Sequence, residues 1–397
     1  MSPLRLAFLL SPLLFLAPAT IAQNSPSLVG APLPAPNGFD KLFDAVEKTS
    51  PADIISTRFE KLTDAEAIQQ KRNVVSRNKR ALFSLREALA LPVQHPPVRG
   101  ADTDFGNYPG FRILAGILDQ EADVRVSNTD WNGAMGSKLD CIELGVLMTR
   151  GGPLRAVLAG RDIEIIGRRG IDKLVSHLDK EQTQAAADRL TRIETLRPPF
   201  ADAIREGKTA AIAITRQSIN ELNWDEVVAD TLKLDGQPFS DDERATMQTI
   251  GEIEIVGGIE RTFNAALAAA DAPYQIQTAR VDDALDPWSK LQAGAVDSPS
   301  LRVDYEAART QNRLLALALA LRTERLRAGV YPETFETAPD PFAPGQRLKY
   351  RRAGQAYSLY SVGPNAKDDG GIGLVIPENG QIPADSGGDL VAPILPL

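Results

Sequence analysis

Cysteine is all but missing from this chain: Cys141 stands alone among 397 residues. One thiol cannot close an intrachain disulfide, so the fold must rest on its core. Cys141 itself sits in an apolar helix pattern and reads as a buried structural thiol. Histidine is nearly as scarce, with only His95 and His177, which narrows both metal chemistry and general-base catalysis. Aromatics make up 6% of the residues. With Ala, Leu and Arg plentiful, that balance favours helices over sheets. The G-x-S-x-G, H-E-x-x-H, P-loop and G-x-G-x-x-G signatures are all absent. Gly133-Ala134-Met135-Gly136-Ser137-Lys138 resembles a phosphate loop only loosely and falls inside a helix pattern. The formal net charge is −8 with both signs mixed along the chain, so the basic footprint of a nucleic-acid binder is missing and no nucleic-acid partner is expected.

What is present begins with the leader. Arg5 is the only charge in Met1–Gln23, and Leu6–Ile21 is almost wholly apolar. The segment ends in Thr20-Ile21-Ala22-Gln23, with small residues placed for signal-peptidase cleavage after Ala22. The rival reading is a retained anchor. A spanning helix needs about 20 predominantly apolar residues, and this run is shorter and carries Pro12 and Pro18. No cysteine follows it, which excludes a lipoprotein anchor. No later segment reads as a membrane span, so the mature chain is expected to be secreted or periplasmic.

Residues 23–37, rich in Pro, Ser, Gly and Ala, read as a flexible linker. Helical periodicity then takes over. Thr63-Asp64-Ala65-Glu66 is a capping box leading one long pattern from Ile68 to Leu89, stopped by Pro92. A second helix is predicted over Tyr108–Val126. Trp131, Met135, Leu139, Ile142 and Val146 mark one apolar face of a third, which Gly151-Gly152 stops and Pro153 follows. Further amphipathic stretches cover 157–178, 180–196 and 201–234. Ser240-Asp241-Asp242-Glu243 reads as a second capping box before a helix through Ile250, Ile259 and Leu267. A strong helix starts at Ser300. Its Arg302, Arg309, Arg313, Arg322 and Arg325 read mostly as a solvated face. The predicted fold class is therefore mainly α, a helical-hairpin array or irregular bundle over residues 38–298. After Gly329 the pattern changes: Leu348–Arg351 and Tyr357–Val362 read as a β-hairpin, so residues 299–397 form a small α+β module of helix plus hairpin.

The chemistry-bearing stretch follows that hairpin. Asn365, Asp368 and Asp369 crowd together among Gly363, Gly370 and Gly371, with Asp385 and Asp389 further on. Ca²⁺ takes six to eight oxygens on loops of this composition, whereas Asn, Asp and Gly are also the ordinary residues of a solvated turn. Acids at Asp102, Asp104, Asp119, Glu121 and Asp123 leave room for a hydrolase using a carboxylate pair.

Two resemblances bear on these readings. Gly329-Val330-Tyr331-Pro332, Asp340-Pro341-Phe342, Leu348-Lys349-Tyr350 and Tyr360-Ser361-Val362-Gly363-Pro364-Asn365 are similar to the C-terminal region of type II secretion major pseudopilins. The resemblance implies a Ca²⁺ site in the last loop, with Asn365 in the place of that family's Asp and with Asp368, Asp369 and Asp389 as further ligands. It covers only the end of the chain. A pseudopilin's apolar N-terminal helix runs directly into this module, whereas here residues 23–298 intervene, so an ordinary pilus subunit is excluded. Asp130-Trp131, the Leu139–Leu147 helix, Thr149-Arg150-Gly151-Gly152-Pro153-Leu154 and Arg197-Pro198-Pro199 resemble uncharacterised secreted proteins of planctomycete-type bacteria, and imply no activity. The function expected is that of an exported, non-enzymatic structural or binding protein with an unknown protein or cell-envelope partner, Ca²⁺-stabilised at its C-terminal loop. The alternatives are an exported hydrolase and an accessory of a secretion or pilus-like machine.

Overall fold

Local capping chemistry sets where several of the helices begin. In the computed structural model, which describes residues 27–50, 63–100, 108–221, 242, 245, 249–276, 299–375, 382–384, 386–393 and 395, Asn37 opens α1 (Gly38–Glu47) by accepting from the Phe39 amide. The same side chain donates to the Gln94 carbonyl at 2.8 Å, tying α1 to a segment more than fifty residues on. Thr63 and Glu66 form the expected capping box of α2 (Asp64–Arg77). The long pattern to Leu89 is not one helix. Asn78 ends α2, donates to the Val74 carbonyl and accepts from the Ser50 amide, and α3 (Lys79–Leu89) starts afresh.

Next come α4 (Tyr108–Ser127), α5 (Trp131–Met148), α6 (Leu154–Arg168), α7 (Ile171–Val175) and α8 (Lys180–Thr195). Asp130 caps α5 through the Gly133 amide, and Asp179 with Gln182 forms a capping box on α8. α9 (Phe200–Glu221), α10 (Glu252–Asp271) and α11 (Pro299–Ala328) follow. The capping box read at 240–243 lies outside the described residues apart from Asp242. Near the C-terminus, β1 (Lys349–Ala353) and β2 (Ala356–Ser361) pair antiparallel as the predicted hairpin, with Arg351 opposite Ser358. A short β3 (Leu390–Val391) joins the other edge of β2 and was not legible as a strand. The fold is thus mainly helical with a small three-stranded antiparallel sheet.

α5 sits at the centre, packed by α4, α6 and α8. Its sequence marks one apolar face, but nearly the whole circumference is buried. Met135, Leu139, Ile142 and Val146 join one core, and Cys141, Leu144, Leu147 and Met148 join a second on the other side. α5 meets α6 where neither helix has a side chain. A Cβ on Gly145 would lie 2.6 Å from the Gly160 carbonyl oxygen, and one on Gly160 would lie 2.4 Å from that of Gly145. α11 packs along α8, and its Val303, Leu314, Leu319 and Leu321 share one core with Leu174 and Leu190 and with Leu348, Leu359 and Leu390 of the sheet module. Each such Leu contributes about 1.5–3 kcal/mol relative to exposure. The core therefore runs unbroken across residue 299, where the C-terminal module is read to begin.

At the other end, the described part of the stretch read as a linker is tied down. Ser27 Oγ and the Leu28 amide donate to the two oxygens of buried Asp202, at 2.8 and 3.0 Å. None of the described helices is long and apolar enough to cross a membrane.

Candidate functional site

The loop after β2 is built from its anchors outward. Asp340, in the Asp-Pro-Phe turn, is buried and accepts from the Phe342 amide at 3.0 Å, Ser361 Oγ at 2.7 Å and the Val362 amide at 3.1 Å. That carboxylate welds the turn to the end of β2. The chain then bends at Gly363, whose φ of +72° suits glycine, and a Cβ there would lie 2.5 Å from the Gly388 carbonyl oxygen. The two loop arms cross at this point. Tyr274 holds the bend from outside by donating to the Pro364 carbonyl at 2.9 Å.

Beyond the bend the three acids come together. Asp389 is fully buried and accepts from the amides of Gly371 at 2.6 Å and Asp369 at 3.2 Å, one on each oxygen. Its backbone pairs with the opposing arm through Ile372 and Leu374. Asp369 Oδ2 accepts from the Gly388 amide and from Asn365 Nδ2, both at 2.9 Å. Asp368 accepts from Tyr360 OH and the Gly370 amide, both at 3.0 Å. Burial pushes the Asp389 carboxyl above its ordinary range; the amides of Gly371 and Asp369 pull it down, and the flanking Asp368 and Asp369 push it up again. Burial, helped by the bond to Asp368, also raises the Tyr360 hydroxyl.

Asn365, Asp369 and Asp389 are thus tied together by hydrogen bonds within this loop, with Asp368 held beside them by Tyr360. Asn365 turns its amide nitrogen towards Asp369 and gives its oxygen to the Lys367 amide at 3.1 Å. Among the described residues, no group of three or more His, Cys, Asp and Glu is arranged to hold a metal ion. Asp385 lies outside the described residues.

The acids considered for hydrolysis have other work. Asp119 pairs with Lys138, Asp123 with Lys71 at 2.6 Å, and Glu121 with Arg86, Arg125 and Ser137 Oγ. Arg86 and Asp140 carry the Glu121 pairing on to Arg189 and Glu143. These residues link α3, α4, α5 and α8. Asp102 and Asp104 lie outside the described residues. Cys141 is buried, donates to the Ile163 carbonyl, and has its thiol pushed up by burial, as suits a structural role. The Gly133–Lys138 run is helical, within α5. His95 is buried, with Nδ1 against the Pro96 carbonyl at 2.6 Å and Nε2 against Tyr108 OH at 3.0 Å. His177 stacks flat on Trp131 with ring centroids 3.6 Å apart.

A polar centre that sequence reasoning missed lies between α6, α8 and α11. Arg197 Nη2 donates to Glu164 Oε2 at 2.7 Å and to Glu194 Oε1 at 2.8 Å, and Asn312 Nδ2 reaches the same two oxygens at 2.7 and 2.6 Å. Arg168 adds a contact to Glu164. Burial opposes ionisation of Arg197, but the two carboxylates outweigh it and hold the guanidinium well above its usual range. Burial likewise pushes up Glu194, and Arg197 overcomes it, leaving that carboxyl below its usual range. Nearby Arg313 is pushed down to about 10, first by burial and then by Arg309. The Arg-Pro-Pro break after α8 was the one visible signal, and it reads as a helix stop.

Comparison with protein-family models, with curated proteins and with solved structures yields no match to this chain.

Proposed function

We infer that the chain is an exported structural or binding protein of the cell envelope whose charged side chains serve its architecture. The observation that carries this reading is how its buried and half-buried ionic groups are used. Asp119, Glu121, Asp123, Asp140, Glu164 and Glu194 each lie against a basic side chain from another helix or turn. A hydrolytic carboxylate pair instead needs one acid held protonated and one left open to its substrate.

Export is tested by producing the full chain in a Gram-negative host and sequencing the N-terminus of the periplasmic product. Gln23 as the first residue is the expected result. Cytoplasmic retention, or a full-length chain that still carries Met1–Ala22, would sink the reading.

A further inference from the structure

Three carboxylates within one tight loop repel one another, and loops of this composition commonly relieve that with a divalent cation. Here the chain's own donors converge on them. Gly371 and Asp369 amides cover Asp389, the Gly388 amide covers Asp369, and Gly370 with Tyr360 covers Asp368. The remaining donor is a side chain, Asn365 Nδ2 at 2.9 Å from Asp369 Oδ2. Its orientation is fixed from both ends. Rotating the amide by half a turn would set its oxygen against the Asp369 carboxylate and its NH₂ against the Lys367 N–H, which now donates to Asn365 Oδ1 at 3.1 Å. A cation ligand at this position would have to offer its oxygen inward, and Asn365 offers a donor.

We propose that Asn365 makes this loop independent of metal: its carboxamide N–H supplies the positive partner that a carboxylate at position 365 would have to take from Ca²⁺. The rest of the loop is compatible with that role. Asp389, with no exposed surface, has both oxygens engaged by amides of the opposite arm, so the arms are already drawn together. Aspartate at position 365 would add a fourth negative charge and remove the donor in one step. Asp369 would then keep only the Gly388 amide, and the loop would gain an oxygen ligand, which together create a need for a hard cation.

The experiment is thermal unfolding of the full mature chain, wild type, Asn365→Asp and Asn365→Ala, each with excess Ca²⁺ and with EGTA. Wild type should melt at the same temperature in both. Asn365→Asp should melt lower than wild type in EGTA, by at least about 2 °C, and recover in Ca²⁺; folding only in Ca²⁺ is the extreme form of that result. Asn365→Ala should melt lower in both conditions, because it loses the donor without gaining a ligand. A wild-type midpoint that rises with Ca²⁺ overturns the proposal, as does an Asn365→Asp midpoint indifferent to Ca²⁺. If Asn365→Asp folds in neither condition, Asn365→Ala decides: a midpoint equal to wild type overturns the proposal, and a Ca²⁺-insensitive loss upholds it.

Discussion

Adding one methyl group to α6 or to α5 should have opposite effects on stability, depending only on which glycine receives it. Gly160 lies where α6 crosses α5. A Cβ there would meet the Gly145 carbonyl oxygen at 2.4 Å and Thr149 Cγ2 at 3.0 Å. The first obstacle is helix backbone and cannot swing aside, so the helices must separate by roughly 1 Å to restore ordinary contact. Overpacking of this kind costs about 1–3 kcal/mol, and the rigid obstacle puts Gly160→Ala near the upper end. The gain in helix propensity on replacing glycine returns about 1 kcal/mol. The net expectation is a loss of about 2 kcal/mol. Gly136 is the control. It lies in α5, and its added Cβ would meet nothing within 4 Å, so Gly136→Ala keeps the propensity gain of up to about 1 kcal/mol with no steric cost. Urea denaturation of the two variants measures both, provided the slope is unchanged. A Gly160→Ala midpoint at or above wild type would refute the close-approach argument. A destabilised Gly136→Ala would refute the assignment of open space.

The buried centre around Arg197 gives a larger effect. Arg197→Met leaves Glu164 and Glu194 facing each other without their main counter-ion, and breaking a buried pair typically costs about 3–5 kcal/mol; a denaturation midpoint within error of wild type would show the network to be dispensable. The buried His95 gives a pH dependence. Burial lowers its folded pKa, and the Pro96 carbonyl only partly opposes this. The unfolded imidazole titrates near about 6.5, so the stability it contributes is complete above that pH and is lost as pH falls towards the folded value. His95→Gln should therefore flatten the decline in melting temperature between pH 7 and 5, and parallel curves for the two proteins would count against it.

Local signals carried most of the helical architecture. Thr63 with Glu66 and the Gly151-Gly152-Pro153 break act within a few residues, and their positions match the helix ends; the caps at Asp130 and at Asp179 with Gln182 are of the same local kind but emerge only from the structure. The hairpin was legible for the same reason, because Ala353-Gly354-Gln355 separates two strand patterns. Nonlocal features were not. β3 is two residues long, and its pairing with β2 is settled by the crossing of the loop arms at Gly363 and Gly388. The split of the 64–89 pattern at Asn78 depends on that side chain meeting Ser50, far back in the chain. At the C-terminal loop, the sequence sets Asn365, Asp368 and Asp369 within five positions of one another. It could not show which way the Asn365 amide points, and that orientation decides whether the loop offers a ligand or a donor.

The arginines of α11 make the sharpest case of a local rule overridden. A row of basic residues on a helix normally faces water, yet Arg302, Arg313 and Arg322 are all buried. Each is used on a backbone carbonyl at the end of another element. Arg302 reaches the carbonyls of Ala269 and Ala272 at the end of α10, Arg322 that of Leu178 before α8, and Arg313 that of Pro339 in the turn leading to the sheet. Helix C-termini and turns leave carbonyls without partners, and a long cationic side chain can satisfy them from a distance while its methylene stem packs in the core. The Ala- and Leu-rich stripe of α11 would tolerate several registers against its neighbours. A guanidinium one turn out of place would meet no carbonyl and would be buried without a partner, at a cost of several kcal/mol. The charges on α11 thus set the position of the helix, and its apolar residues supply most of the binding to the core.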